Sequence, residues 1–141
     1  MTPIFEDDDF LIEPAAGTAV PGYVVLRMRS GVSSLAELDA AAARRLGEML
    51  ARASRAVQAA TAADRVYCLS FCEIDRQLHF HLFPRAAWLL DAYWTATGEA
   101  GEPVNGPLLF EWARTLGDRL MPPSSTPSAA EVCDILRARL R

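Results

Sequence analysis

The chain has 141 residues, of which 51% are hydrophobic, and its formal net charge is −4 at pH 7. This size suits one compact domain with a sizeable core, and the acidic balance excludes an extended basic surface for DNA or RNA. No apolar run is long enough for a membrane span, and residues 6–9 are all acidic, unlike a signal peptide. The odd number of cysteines, three, favours reduced thiols and a cytoplasmic location.

Short strands and one long helix are predicted in the first part of the chain. Turn residues bound two strands, at residues 10–12 and 23–26. A helix is predicted over residues 35–60, because Ser34 and Glu37 have the spacing of a capping box and apolar residues then recur at helical spacing.

Two more strands are predicted after this helix. They cover residues 66–71 and 77–83, and Pro84 ends the second. The polar connection between them is short, so they pair antiparallel. The pattern predicts an α+β fold with a helix packed on one face of a sheet.

The character of the sequence changes after Pro84. Helices are predicted over residues 86–93, 108–120 and 129–141, separated by a loop at 95–107 and a Pro/Ser linker at 121–127. We therefore expect one domain over residues 1–107 and a helical extension over residues 108–141. The extension packs either on that domain or on a second subunit, and the sequence leaves both arrangements open.

The predicted strand at residues 77–83 carries both histidines of the chain. Residues two apart in a strand point to the same face, so Gln77, His79 and His81 form one row. The apolar residues Leu78, Phe80 and Leu82 occupy the opposite face and can bury against the helix, which determines the register.

Three interpretations of this polar row are open from the residues alone. It is a polar surface, a catalytic site, or a zinc site in which imidazole is a ligand. Neighbouring strands offer further zinc ligands at Cys68, Cys72, Glu73 or Asp75, but the spacing of the two cysteines is not the usual one for zinc.

A family resemblance favours the catalytic interpretation. The segment from Gln77 to Arg85 is similar to the signature of the histidine triad superfamily, in which three histidines alternate with hydrophobic residues and Pro-Arg often follows. The stretch Val20-Pro21-Gly22-Tyr23 resembles the family's Pro-Gly-His before a strand. Order and spacing agree over roughly residues 5–85, and the variant triad resembles the fragile-histidine-triad, or dinucleoside polyphosphate hydrolase, branch.

The resemblance implies both a fold and an activity. The fold is an antiparallel sheet of about five strands packed with a long helix, here followed by C-terminal helices, in a homodimer paired through the helix and a strand. The activity is that of a nucleotide-phosphate hydrolase or nucleotidyl transferase acting at an α-phosphate, with no metal or cofactor. The implied substrates are dinucleoside polyphosphates or nucleoside phosphoramidates.

The resemblance also assigns roles to the three residues of the row. His79 occupies the position of the nucleophile, which forms a nucleotidyl-histidine intermediate while a backbone carbonyl of the same strand holds its other nitrogen. His81 corresponds to the histidine that contacts a non-bridging phosphate oxygen. Gln77 stands where the first histidine does, and its amide donates a hydrogen bond but carries no proton at neutral pH.

Other residues match the family less closely. The connection before Gln77 lacks the family's glycine-rich phosphate loop, so Arg76 and Arg85 are expected to act as phosphate clamps. By position, Phe5, Ile12, Glu13 and Leu26 are expected to line the nucleoside pocket. The alternative is a non-catalytic nucleotide-binding or interaction protein on the same fold.

Overall fold

The structure of the protein, a computed structural model, describes residues 2–141. Five strands form one antiparallel sheet in the order β1-β2-β3-β5-β4. The strands are β1 (Phe5–Glu6), β2 (Phe10–Pro14), β3 (Val24–Met28), β4 (Arg65–Leu69) and β5 (His79–Arg85). The helices are α1 (Ala40–Thr61), α2 (Ala87–Thr97), α3 (Gly106–Leu116) and α4 (Ala129–Arg139). The predicted α+β class and the antiparallel sheet of about five strands are confirmed.

Several element boundaries differ from the prediction, and two of the differences have a clear physical cause. The long helix begins at Ala40 rather than at residue 35, because the Asp39 side chain caps it by accepting the Ala42 N–H at 2.8 Å. Ser34 precedes only a single 3-10 turn and makes no side-chain cap. The expected capping box was therefore wrong, and Glu37 accepts hydrogen bonds from Ser33 instead.

Pro84 lies inside β5 instead of ending it. It pairs with Val66 of β4, whereas β3 pairs with β5 only as far as Leu82. Beyond Leu82 the strand has a neighbour on one side only, where a residue without an N–H is tolerated. The strand consequently continues to Arg85.

One face of the sheet is covered by α1 and α4. The residues predicted for this face, Leu78, Phe80 and Leu82, are buried there as expected. Helix α4 contributes Val132 and Leu136 to the same core cluster. The Arg52 side chain of α1 also donates a 2.7 Å hydrogen bond to the Leu140 carbonyl just after α4, so both helices share one layer.

The other face of the sheet is covered by α2 and α3. Phe83 and Tyr23 point to this side and are buried with residues of both helices, among them Leu89 and Leu109. Helix α3 begins at Gly106 because the Asn105 side chain accepts the Leu108 N–H, so the expected boundary at residues 107/108 falls within its first turn. The histidine row thus starts in a polar site and continues into a second apolar core at Phe83.

Candidate functional site

His79 is the first residue of β5 and is 8% exposed. Its Nδ1 lies 2.7 Å from the backbone oxygen of Gln77. A carbonyl only accepts, so this contact places the ring proton on Nδ1 and leaves Nε2 with a free lone pair. His79 therefore has the tautomer required of a nitrogen nucleophile.

The hydrogen bonds of His81 favour the other tautomer, with the ring proton on Nε2. Its Nδ1 lies 2.6 Å from the hydroxyl oxygen of Tyr23, and that hydroxyl accepts a 3.1 Å hydrogen bond from Arg114. Arginine only donates, so the tyrosine proton is directed to Nδ1 of His81, and the proton of the neutral imidazole resides on Nε2. His81 is thus arranged as a hydrogen-bond donor.

The two imidazoles border a cavity of about 310 Å³. Their ring centroids are 5.3 Å apart and the rings meet edge to face. The lining residues come from the β4–β5 connection, from β5 and from α3, and they are Phe71, Cys72, Glu73, Ile74, Asp75, His79, His81 and Arg114. The cavity therefore combines a lone-pair nitrogen, an N–H donor and a guanidinium group.

Side-chain contacts hold the connection between β4 and β5 against the sheet. The Ser70 hydroxyl donates to the His79 carbonyl at 2.7 Å, and an Asp75 oxygen accepts the Gln77 N–H at 3.1 Å. Asp75 also forms an ion pair with Arg27. This connection, which has no glycine, is ordered by hydroxyl and carboxylate groups.

Arg27 lies directly beside His79. It is the cross-strand partner of His79 on β3, and its guanidinium pairs with Glu13 at 3.7 Å as well as with Asp75. The sequence prediction missed Arg27 because the second strand was ended at residue 26. Its alternation with Tyr23 and Val25 is the signal that places it on the histidine face.

The pKa of His81 is lowered from its ordinary 6.5 to about 4, first because the ring is buried and then because of Arg114, His79 and Arg27, in that order of importance. His81 is neutral at pH 7, in agreement with its role as acceptor at Nδ1 and donor at Nε2.

This shift predicts an acid-sensitive stability. The unfolded chain protonates His81 near 6.5 and the folded chain only near 4, so the unfolded state binds more protons as the pH falls through 6.5, and the folded state loses stability down to about pH 4. Allowing for partial solvent screening, we expect the wild-type protein to lose about 1–2 kcal/mol more than His81→Gln between pH 7.5 and 5. Urea unfolding at the two pH values measures this difference, and identical losses would contradict it.

The residues predicted to bind phosphate lie away from the cavity lining. The Gln77 amide donates to the Met28 carbonyl at 2.6 Å, so this residue serves His79 through its backbone oxygen. Arg76 is exposed and does not line the cavity. Arg85 ends β5, about 13 Å along the strand from His81 at roughly 3.3 Å per residue. The structure brings neither arginine to the histidines.

The residues predicted to line a nucleoside pocket are also placed elsewhere. Ile12 and Leu26 have no exposed surface and belong to the core beneath α1, so they do not line the histidine cavity. Phe5 packs on the same side, with the Arg52 guanidinium 5.4 Å from its ring centre. Only Glu13 lies on the histidine face, where it pairs with Arg27. Strand alternation separates these residues from the site, because paired residues share a face.

Arg114 is a cavity residue that sequence reasoning could not reach. It lies on α3, 33 positions after His81 in the chain, and enters the cavity only because α3 packs over Tyr23. Within residues 2–141, no group of three or more His, Cys, Asp or Glu side chains is arranged to hold a metal ion. Nor does any helix in that range have the length and apolarity to cross a membrane.

Fold and site together define a class of protein: a five-stranded antiparallel sheet with two alternating histidines on the inner strand β5, beside a small cavity lined in part by charged side chains. Neither models of protein families nor curated proteins match the sequence. Solved structures, in contrast, match nearly the whole chain.

Histidine triad proteins are among the matching structures. A histidine triad protein from Bradyrhizobium japonicum is 20% identical with a TM-score of 0.62, and covers 99% of this chain and 90% of its own. One from Marinobacter aquaeolei VT8 is 18% identical with a TM-score of 0.62, covering 99% and 88%. A hypothetical histidine triad nucleotide-binding protein from Sulfolobus tokodaii strain7 is 14% identical with a TM-score of 0.61, covering 98% and 82%. The chain thus has the histidine triad fold.

Proposed function

We propose that the protein is a nucleotide-phosphate hydrolase or nucleotidyl transferase that acts at an α-phosphate through His79. The observation that carries this proposal is the pair of opposite tautomers at one cavity, with a lone pair on His79 Nε2 and a proton on His81 Nε2. A phosphoryl centre needs both, since its phosphorus accepts a nucleophile while its non-bridging oxygens accept hydrogen bonds.

The chemistry proceeds in two balanced steps. The lone pair of His79 Nε2 forms a bond to the α-phosphorus as the bond from phosphorus to the leaving oxygen or nitrogen breaks, and the leaving group keeps that electron pair and takes a proton from solvent. Water, or another hydroxyl acceptor, then attacks the phosphorus and gives its proton to solvent, the N–P bond breaks with its electron pair returning to His79, and the nucleotide is released. His81 Nε2–H donates to a non-bridging oxygen throughout.

Charges around the cavity support a phosphate substrate. Arg114 lines it, and Arg27 is next to His79 across the sheet. Phe71 is 73% exposed, Ile74 is fully exposed, and both lie at the rim, where they offer apolar surface to a nucleobase. A volume of about 310 Å³ lies at the small end of ligand sites, which suits one nucleoside monophosphate group rather than a whole dinucleotide. The second nucleoside of a dinucleoside polyphosphate would therefore lie outside the cavity, in solvent.

One observation favours binding without turnover. The side-chain amide of Gln77 is committed to the Met28 carbonyl, so the first position of the row offers no group to a leaving oxygen or nitrogen. The carboxylates Glu73 and Asp75 in the cavity weaken phosphate binding itself and therefore favour neither function over the other. In this alternative the protein binds a nucleotide and does not cleave its phosphate bonds.

The deciding experiment measures binding and turnover on the same preparation. We expect calorimetry to detect AMP, and we expect AMP release from diadenosine tetraphosphate or adenosine phosphoramidate. AMP binding without release from either compound would favour the binding protein. Absence of both would contradict both functions.

We further propose that the protein is a homodimer that pairs through α1 and the strand β4. Because β4 is an edge strand, one side of its backbone is free to pair with another chain. Sedimentation equilibrium is expected to give twice the 15.4 kDa monomer mass, and a monomer at micromolar concentration would contradict this assembly.

A further inference from the structure

A hydrogen-bonded chain of three side chains runs from α3 to the histidine row. Arg114 Nη1 donates to the Tyr23 hydroxyl at 3.1 Å, and that hydroxyl lies 2.6 Å from His81 Nδ1. Tyr23 is 2% exposed and packs edge to face on Phe83 and Phe110, so its ring is fixed. The three groups come from β5, from the turn before β3, and from α3.

The direction of this chain follows from the chemistry of its members. A guanidinium has five N–H donors and no acceptor, so Tyr23 is the acceptor in its contact with Arg114. The one proton of the tyrosine hydroxyl is then free to go to His81. Burial raises the pKa of Tyr23 while Arg114 lowers it, and the net effect is upward, so the phenol keeps its proton at neutral pH.

We propose that Tyr23 and Arg114 are positioning residues that hold His81 as its Nε2–H tautomer, with that N–H directed into the cavity. The catalytic consequence rests on the proposed function, since only a phosphate oxygen would use the donor. The tautomer itself does not depend on any substrate. Because Arg114 lies on α3, this helix also contributes a side chain to the site, although it follows β5 and its histidines in the chain.

The opposite tautomer would disable the site in a defined way. With a proton on Nδ1, His81 would present the lone pair of Nε2 to the cavity. That lone pair and a non-bridging phosphate oxygen are both acceptors, so no hydrogen bond would form between them. Burial and the neighbouring Arg114 lower the pKa of His81, which disfavours a second proton on the ring. The Tyr23 hydroxyl therefore favours the Nε2–H tautomer of the neutral His81 ring, which can donate to a phosphate oxygen, over the Nδ1–H tautomer, which cannot.

The chain has only two histidines, which makes the tautomers directly measurable. Untagged protein labelled with ¹⁵N gives two imidazole spin systems, and His81→Gln assigns them. At pH 7 we expect one ring protonated on Nδ1, His79, and one on Nε2, His81. In Tyr23→Phe we expect the His81 nitrogen shifts to move towards each other as the Nδ1–H form becomes populated.

Tyr93→Phe is the matched control. Tyr93 is 3% exposed and donates its own hydrogen bond to Glu99 at 3.2 Å, but it contacts neither histidine. Its substitution removes a buried tyrosine hydroxyl, as Tyr23→Phe does, and is expected to leave both imidazole spectra unchanged. A change in this control would show that general loosening moves the tautomers, which would overturn the proposal.

A second pair of variants tests Arg114. Because its side chain is exposed, its substitution is not expected to impair folding. Arg114→Met removes the donor and is expected to shift the His81 nitrogen signals in the same direction as Tyr23→Phe, whereas Arg114→Lys keeps a donor and is expected to give the wild-type spectrum.

If turnover is found, Tyr23→Phe is expected to lower kcat roughly 10-fold with little change in KM. Should Tyr23→Phe fail to fold, the Arg114 pair decides alone. If the His81 nitrogen chemical shifts of Tyr23→Phe or Arg114→Met equal those of the wild type, the proposal is overturned, whether or not the protein is an enzyme. If the shifts change but no turnover is found, only the proposed function is contradicted.

Discussion

Replacing His79 with glutamine is expected to lower kcat by a factor on the order of 10³ or more, while AMP affinity stays within a few-fold of wild type. The lone pair on Nε2 exists only because Nδ1 donates to the Gln77 carbonyl 2.7 Å away. A glutamine amide fills similar space but has no nitrogen lone pair for attack on phosphorus. The prediction is checked by steady-state kinetics beside calorimetry of the same variant.

Two controls separate a nucleophile from a residue that merely binds. His81→Gln is expected to lose a factor on the order of 10² in kcat, yet still to form a labelled nucleotidyl-protein when substrate carrying a labelled α-phosphate is quenched in alkali. His79→Gln is expected to form none. Arg44→Gln, an exposed change on α1, is expected to behave as wild type. Label retained in His79→Gln would refute the assignment of the nucleophile.

Truncating one leucine of the last helix is expected to destabilise the whole protein. Leu136 on α4 is 1% exposed and belongs to the core cluster between α1 and the sheet. Leu136→Ala should lower the free energy of unfolding by about 2–5 kcal/mol, because it removes buried methyl groups and leaves a cavity. Urea unfolding followed by circular dichroism gives this value.

The preceding residue supplies the matched control. Ile135 is 37% exposed on the same helix, so Ile135→Ala is expected to cost less than about 1 kcal/mol. A single transition for all three proteins would mean that the C-terminal helices unfold together with the sheet. Equal, small losses for both substitutions would show instead that α4 is not needed for the core.

Much of the fold could be predicted from local periodicity. Strand alternation placed Phe80 and Leu82 in the core and the histidines on the other face, and this is what the structure contains. Element ends were less predictable, since the choice between Ser34 and Asp39 as the helix cap depends on how the preceding turn packs. The continuation of β5 through Pro84 depends on where its neighbour β3 begins.

The candidate site was predictable only in its centre. His79 and His81 were found because two histidines two positions apart in a strand share a face. Position along the chain was a poor guide to their neighbours: Ile12 and Leu26 proved to be buried on the far face, and Arg85 lies towards the other end of β5. Arg27 has a strand position that alternation explains, but its place beside His79 is a matter of register between β3 and β5.

The sequence by itself determined the α+β class and the face on which the histidines lie, because each follows from a period of two or 3.6 residues within one segment. The choice of His79 as candidate nucleophile came from the family resemblance of that segment. Only the tertiary structure decided which atoms hold the His81 ring. The Tyr23 hydroxyl and Arg114 reach it through the turn before β3 and the packing of α3 on the sheet. These contacts join positions far apart in the chain, and no local pattern encodes them, whereas the Gln77 carbonyl that holds His79 lies only two positions away. The opposite tautomers of His79 and His81, on which the proposed chemistry depends, are therefore a property of the folded protein.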